Sequence, residues 1–144
     1  MSRFCFAVLV CCLAMALSGC GSDSSPTSPS AVPDFSRTDL RVGTGAAAVS
    51  GSTLTVNYTG WLYDESKTDS KGPLFETSLG RSTFTFILGN SQVIAGWEQG
   101  VPGMQVGGLR RLVLPPSLAY GNVRSGPIPA NASLVFEIEL LDVQ

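Results

Sequence analysis

Period-two alternation constrains this chain more than any other feature. From Leu134 to Val143, the side chains of Leu134, Phe136, Ile138 and Leu140 point one way, while Glu137 and Glu139 point to water. That spacing fits a strand with one buried face and not the 3.6-residue period of a helix. Ser52 to Tyr63 repeats it with Leu54, Val56, Tyr58, Gly60 and Leu62 on one face, and Ser82 to Leu88 with Phe84 and Phe86. Leu109 to Leu114 reads as a further strand, stopped by Pro115-Pro116, which cannot continue a ladder. Asp64 to Leu74 is polar, carries Gly72-Pro73 and reads as a loop. Val93 to Gly100 lacks the alternation and predicts one short helix, Ala95 to Val101. The expected fold class is α+β, an antiparallel sheet whose apolar face is covered by one short α-helix.

Few residue types are left for chemistry. The chain has no histidine, which excludes Ser-His-Asp and Cys-His catalysis and every histidine-ligated metal site. Cysteines stand at positions 5, 11, 12 and 20, all ahead of the alternating segments. The folded part therefore holds no disulfide, thiolate metal site or cysteine nucleophile. The net charge is −2 and no basic run occurs, so nothing marks a nucleic-acid surface or a polybasic hold on anionic lipid. What remains is apolar surface, backbone groups, carboxylates, arginines and hydroxyls. No metal or other cofactor is expected.

The beginning of the chain reads as targeting sequence. Arg3 precedes an apolar run, Phe4 to Leu17, closed by small residues, which is the pattern of a signal peptide and too short for a comfortable membrane span. Leu17-Ser18-Gly19-Cys20 resembles the bacterial lipobox, whose cysteine thiol takes a lipid and becomes the new N-terminus. An ordinary secretory signal with a coincident cysteine is the alternative. Residues 21–33 are rich in Ser and Pro and bury too little apolar surface to repay ordering, which suits a solvated tether. The expected organisation is a signal peptide over 1–19, a lipidated Cys20 with its tether over 20–38, and a globular domain over 39–144. The expected location is outside the cytoplasm, lipid-anchored to a bacterial membrane and facing the periplasm, on the outer membrane if the cell is Gram-negative.

Within the globular part several blocks occur in a fixed order. They are Tyr58-Thr59-Gly60, Phe75-Glu76-Thr77-Ser78, Phe84-Thr85-Phe86, Val93-Ile94-Ala95-Gly96-Trp97-Glu98, Ala119-Tyr120-Gly121 and the run from Ile128 to Phe136. This series closely resembles the FKBP-type peptidyl-prolyl cis-trans isomerases, and the resemblance covers nearly all of Asp39 to Val143. It implies a strongly bent antiparallel β-sheet, a half-barrel wrapped around one short α-helix. It also implies rotamase activity on X-Pro bonds of exported proteins, without any cofactor. By the same resemblance Trp97 floors a pocket for the proline ring, and Tyr58, Phe75, Phe84 and Phe136 form its aromatic walls. Glu76 stands where the family usually has Asp, with Val93, Ile94 and Ile128 completing the lining. The Ile94 N–H and the Tyr120 hydroxyl would donate hydrogen bonds to substrate carbonyls. Tyr58, Phe75, Glu76, Trp97, Tyr120 and Phe136 are thus the expected catalytic set, and Phe84, Val93, Ile94 and Ile128 the expected substrate-binding set.

Aromatics on strand faces are usually core, and Phe86, Leu54, Ile138 and Leu140 are assigned there. Glu98, Arg110 and Arg111 read as solvated surface. Implied partners are proline-containing polypeptides, macrolide inhibitors and, through the anchor, a membrane, with no nucleic acid. The chain lacks the long charged helical segment by which some exported relatives dimerise, so a monomer is expected. Two other functions stand beside the isomerase. One is a proline-segment binding or chaperone module of the same fold with little turnover. The other is a β-rich structural lipoprotein or adhesin, which leaves the ordered blocks unexplained.

Overall fold

The computed structural model describes residues 31–144. The expected signal peptide, Cys20 and the tether as far as residue 30 lie outside the described residues.

Six antiparallel strands form one open sheet: β1 (Ser36–Arg41), β2 (Thr53–Tyr63), β3 (Lys71–Thr77), β4 (Phe84–Ile87), β5 (Leu109–Leu114) and β6 (Leu134–Val143). Their order is β1-β5-β6-β2-β3, and β4 pairs the first part of β2 beside β3. The long strands β2 and β6 run the length of the sheet against each other, from Leu54↔Val143 to Leu62↔Leu134. The alternation places Leu54, Val56, Phe86, Leu112, Leu114, Leu134, Phe136, Ile138 and Leu140 in one buried cluster, as expected. The α+β class expected from the sequence is what the chain adopts.

Among the described residues a single α-helix, α1 (Ala95–Gly100), covers the apolar face; a short 3-10 turn, Pro116–Leu118, follows β5. Six residues are far too few for an independently stable helix, so packing must hold it. It lies so close to β5 that a Cβ on Gly96 would sit 2.5 Å from Leu114, and one on Gly100 2.6 Å from Leu112. The last turn is tied by Arg110, whose guanidinium donates to the Gly100 carbonyl at 2.8 Å and the Pro102 carbonyl at 3.1 Å.

The structure corrects two sequence readings, those of Arg110 and Glu98. Arg110 is buried rather than solvated, and its other nitrogens donate to both Asp39 carboxylate oxygens, at 2.6 and 3.0 Å. That contact holds the Asp39 carboxyl below the usual carboxylate range. Arg111 and Lys71 converge on Glu137 at 2.9 and 2.7 Å, tying β6 to its neighbour β5 and, across β2, to β3 on the outer face. Burial opposes ionisation of Glu137, but the two cations still keep its carboxyl below its ordinary value. Glu98 reaches back to the Gly89 N–H at 2.6 Å.

Two strands were not legible. Every residue of β1 is exposed, so it shows no apolar alternation. Part of the expected 64–74 loop is β3, an edge strand where Pro73 is tolerated because its missing N–H need not pair.

Candidate active site

Between β3 and β2 the register slips: Gly60 faces Glu76 and Trp61 faces Leu74, leaving Phe75 as an extra residue. Such a bulge breaks the strict up-down alternation, so two neighbouring side chains can be re-aimed together. Phe75 swings across Gly60, where a Cβ would lie 2.5 Å from its ring and 2.9 Å from the Phe136 ring. A glycine is therefore required under this pair. The end of β3 is clamped by Ser78, which accepts the Tyr58 N–H at 2.9 Å and donates its own N–H to the Tyr58 carbonyl.

These contacts shape a cavity of about 410 Å³ on the helix-covered face. Its floor is Trp97, 4% exposed. Tyr58, Phe84 and Phe136 stand edge-on to the indole with ring centres 5.2, 6.1 and 5.4 Å away, and Phe86 supports it from within the core at 5.7 Å. Edge-to-face packing at these distances is the favoured arrangement of aromatic quadrupoles. Val93 and Ile94 line one side, and Tyr120 and Glu76 stand at the mouth.

Burial pushes the Tyr58 phenol up to about 12, with the Glu76 carboxylate beside it adding to the shift. Burial and then the Glu76 charge raise Tyr120 as well. Both phenols keep their protons near neutrality and remain donors. The Ile94 N–H has no partner among the described residues, although the Ile94 carbonyl accepts the Trp97 N–H at 2.9 Å as α1 begins. The site thus has an apolar floor and walls, unpartnered donors at its edge and no cluster of metal ligands among the described residues.

Eight of the ten expected site residues meet here. Phe75 and Ile128 do not line this cavity. They line a neighbouring one of about 330 Å³ that shares Glu76 and Tyr120 with it. The bulge explains the displacement of Phe75, which touches the site through Phe136 at 5.6 Å between ring centres. Sequence reasoning missed Ser91 and Gln92, which also line the main cavity. They precede Val93 in a turn whose shape depends on Ser91 at φ 53°, a conformation no pattern in the sequence announces.

A family profile described as FKBP-type peptidyl-prolyl cis-trans isomerase matches residues 45–141. The chain belongs to that family. The FK506-binding protein of Neisseria meningitidis serogroup B is 45% identical over 107 residues, which cover 73% of this chain and 92% of the relative. FK506-binding protein 4 of Aspergillus fumigatus is 42% identical over 106 residues, but this chain spans only 20% of its length. Among crystal structures, AtFKBP13 superposes with a TM-score of 0.65 at 34% identity, covering 76% of this chain and 93% of that one. FkpA from Escherichia coli gives 0.63 at 38% identity, covering 76% of this chain and 48% of that one. This FKBP chain carries its aromatic box within the matched region.

Proposed function

We propose that the domain accelerates cis–trans rotation of X-Pro peptide bonds in exported proteins by a non-covalent mechanism. The observation that carries this reading is the indole of Trp97, boxed edge-on by Tyr58, Phe84 and Phe136 beside the unpartnered Ile94 N–H. Rotation faces a barrier of about 18–20 kcal/mol because resonance makes the C–N bond partly double. The planar amide has a large dipole, and the twisted transition state has lost much of it. A dry aromatic cavity therefore solvates the twisted state better, relative to water, than it does the planar one. The Ile94 N–H and the Tyr120 hydroxyl hold the flanking carbonyls while the bond turns. Catalysis is then differential binding of the transition state, with no proton transfer. Macrolide inhibitors of the family would occupy the same cavity.

A protease-coupled assay on an X-Pro peptide tests the proposal directly, and the purified protein should speed isomerisation well above the spontaneous rate. Its kcat/KM should stay flat between about pH 6 and 8, since no cavity group needs to titrate there. A steep limb in that window on folded protein would exclude this mechanism, and absence of turnover would leave a binding module.

The anchor belongs to the same proposal. Lipid on Cys20 would hold the domain at a bacterial membrane, supported by Leu17-Ser18-Gly19-Cys20 and the Ser/Pro-rich residues behind it. Cys20→Ser should move the protein from the detergent phase to the aqueous phase, or stall its processing. Equal partitioning of wild type and a mutant cut at the same place would sink the anchor.

A further inference from the structure

The wall that carries Val93 and Ile94 is weakly attached. Residues 90–93 make no backbone hydrogen bond of normal geometry with the other described residues. Two side chains hold the turn instead. The Glu98 Oε2 accepts the Gly89 N–H at 2.6 Å, and the Gln92 Oε1 accepts the Ile87 N–H at 2.8 Å. Glu98 belongs to α1, one residue after the Trp97 floor, so its carboxylate links that floor to the start of the wall. The other oxygen, Oε1, is buried and has no partner among the described residues. A carboxylate oxygen withdrawn from water without a partner is costly, and a solvated surface role would not require it.

We propose that Glu98 is a positioning residue for the isomerase site. It fixes residues 89–94 against α1 so that the Ile94 N–H and Val93 stand at the right height above Trp97. The proposal rests on the isomerase reading but not on turnover alone, because a mispositioned wall weakens binding as well. Without the clamp, the wall samples other conformations and only a fraction of molecules can take substrate, so the apparent dissociation constant rises by the inverse of that fraction. The chemistry over Trp97 is unchanged once substrate is seated. KM should therefore rise and kcat should hold.

The test compares wild type, Glu98→Ala and Glu98→Gln, the last keeping an acceptor oxygen for the Gly89 N–H. Each is measured for kcat and KM on an X-Pro peptide, for binding of a proline-containing peptide by titration, and for thermal unfolding. Glu98→Ala should raise both KM and the peptide Kd about tenfold, with kcat within about twofold, and Glu98→Gln should restore most of the loss. A merely structural Glu98 would lower the unfolding temperature of the alanine variant while leaving KM and Kd at wild-type values, and that result overturns the proposal. A glutamine variant no better than alanine overturns it too. If wild type binds the peptide but does not isomerise it, the activity reading fails while the Kd comparison still decides the role of Glu98. Should Glu98→Ala fail to fold, Glu98→Asp takes its place. Its shorter arm cannot reach Gly89, and it should show the same rise in KM and Kd.

Discussion

Trp97→Ala is expected to cut kcat/KM on an X-Pro peptide on the order of 100-fold and to destabilise the fold by about 3–5 kcal/mol, because it removes one side chain from both the site and the core. Three cavity rings lean edge-on against the indole, and Phe86 packs it from below. Without it the proline ring has no floor and water enters. Tyr120→Phe is the control, since it deletes one donor from a residue that is 37% exposed. A neutral hydrogen bond is worth about 0.5–1.5 kcal/mol, so activity should fall roughly tenfold or less with little change in stability. Kinetics and thermal unfolding on both variants separate the two roles, with Trp97→Leu in reserve if alanine does not fold. A folded Trp97→Ala that turns over like wild type would put the reaction somewhere else.

Arg110→Leu carries the second large effect, on stability alone. The buried guanidinium joins β1, β5 and the end of α1 through Asp39, Gly100 and Pro102. Leucine can fill the space but leaves both carbonyls without a donor, at an expected cost of about 2–4 kcal/mol. Lysine, with a point charge in place of a planar fork, should recover only part of it. The check is the urea midpoint at unchanged m-value. A loss under about 1 kcal/mol would show that water replaces the guanidinium freely. The pair also has a pH signature. The folded-state pKa of Asp39 is depressed, so its contribution is present above the unfolded carboxylate value and fades as pH falls through the folded one. Wild type should lose this increment in acid, and Arg110→Leu should lose less, because only the weaker pull of Arg37 remains on Asp39. Asp39 is largely exposed, so the increment is small beside the cost of the orphaned carbonyls.

The two arginines show where a sequence stops being legible. Arg110 has the same parity as Leu112 and Leu114 in β5, and that parity alone points it inward. Its charge argued for water, and parity won because Asp39 and the carbonyls at the end of α1 were waiting on the inner side. Arg111 and Glu137 do face outward, but no local pattern reveals that Lys71 arrives from β3 to share the carboxylate. The strands with a buried face, β2, β4, β5 and β6, were readable because burial imposes a period. β1 and most of β3 escaped because neither contains a fully buried residue to impose such a period. The aromatic box followed from the order of the blocks, whereas the displacement of Phe75 depends on a bulge, which is a property of the pairing between two strands and not of either one.

The pairing of β2 with β6 has a consequence for the order in which the molecule can be completed. The strand with the most neighbours in the sheet, Thr53–Tyr63, has as its full-length neighbour Leu134–Val143, the last of the described strands. A chain made or delivered from its N-terminus therefore displays β2 without the neighbour that closes the core until β6 has followed it. Contacts so distant along the sequence pay loop-closure entropy before they return any burial, which slows folding and lengthens exposure to proteases and to other chains. Until Leu134–Val143 is free to pair, an enzyme proposed to help other proteins fold is itself a client.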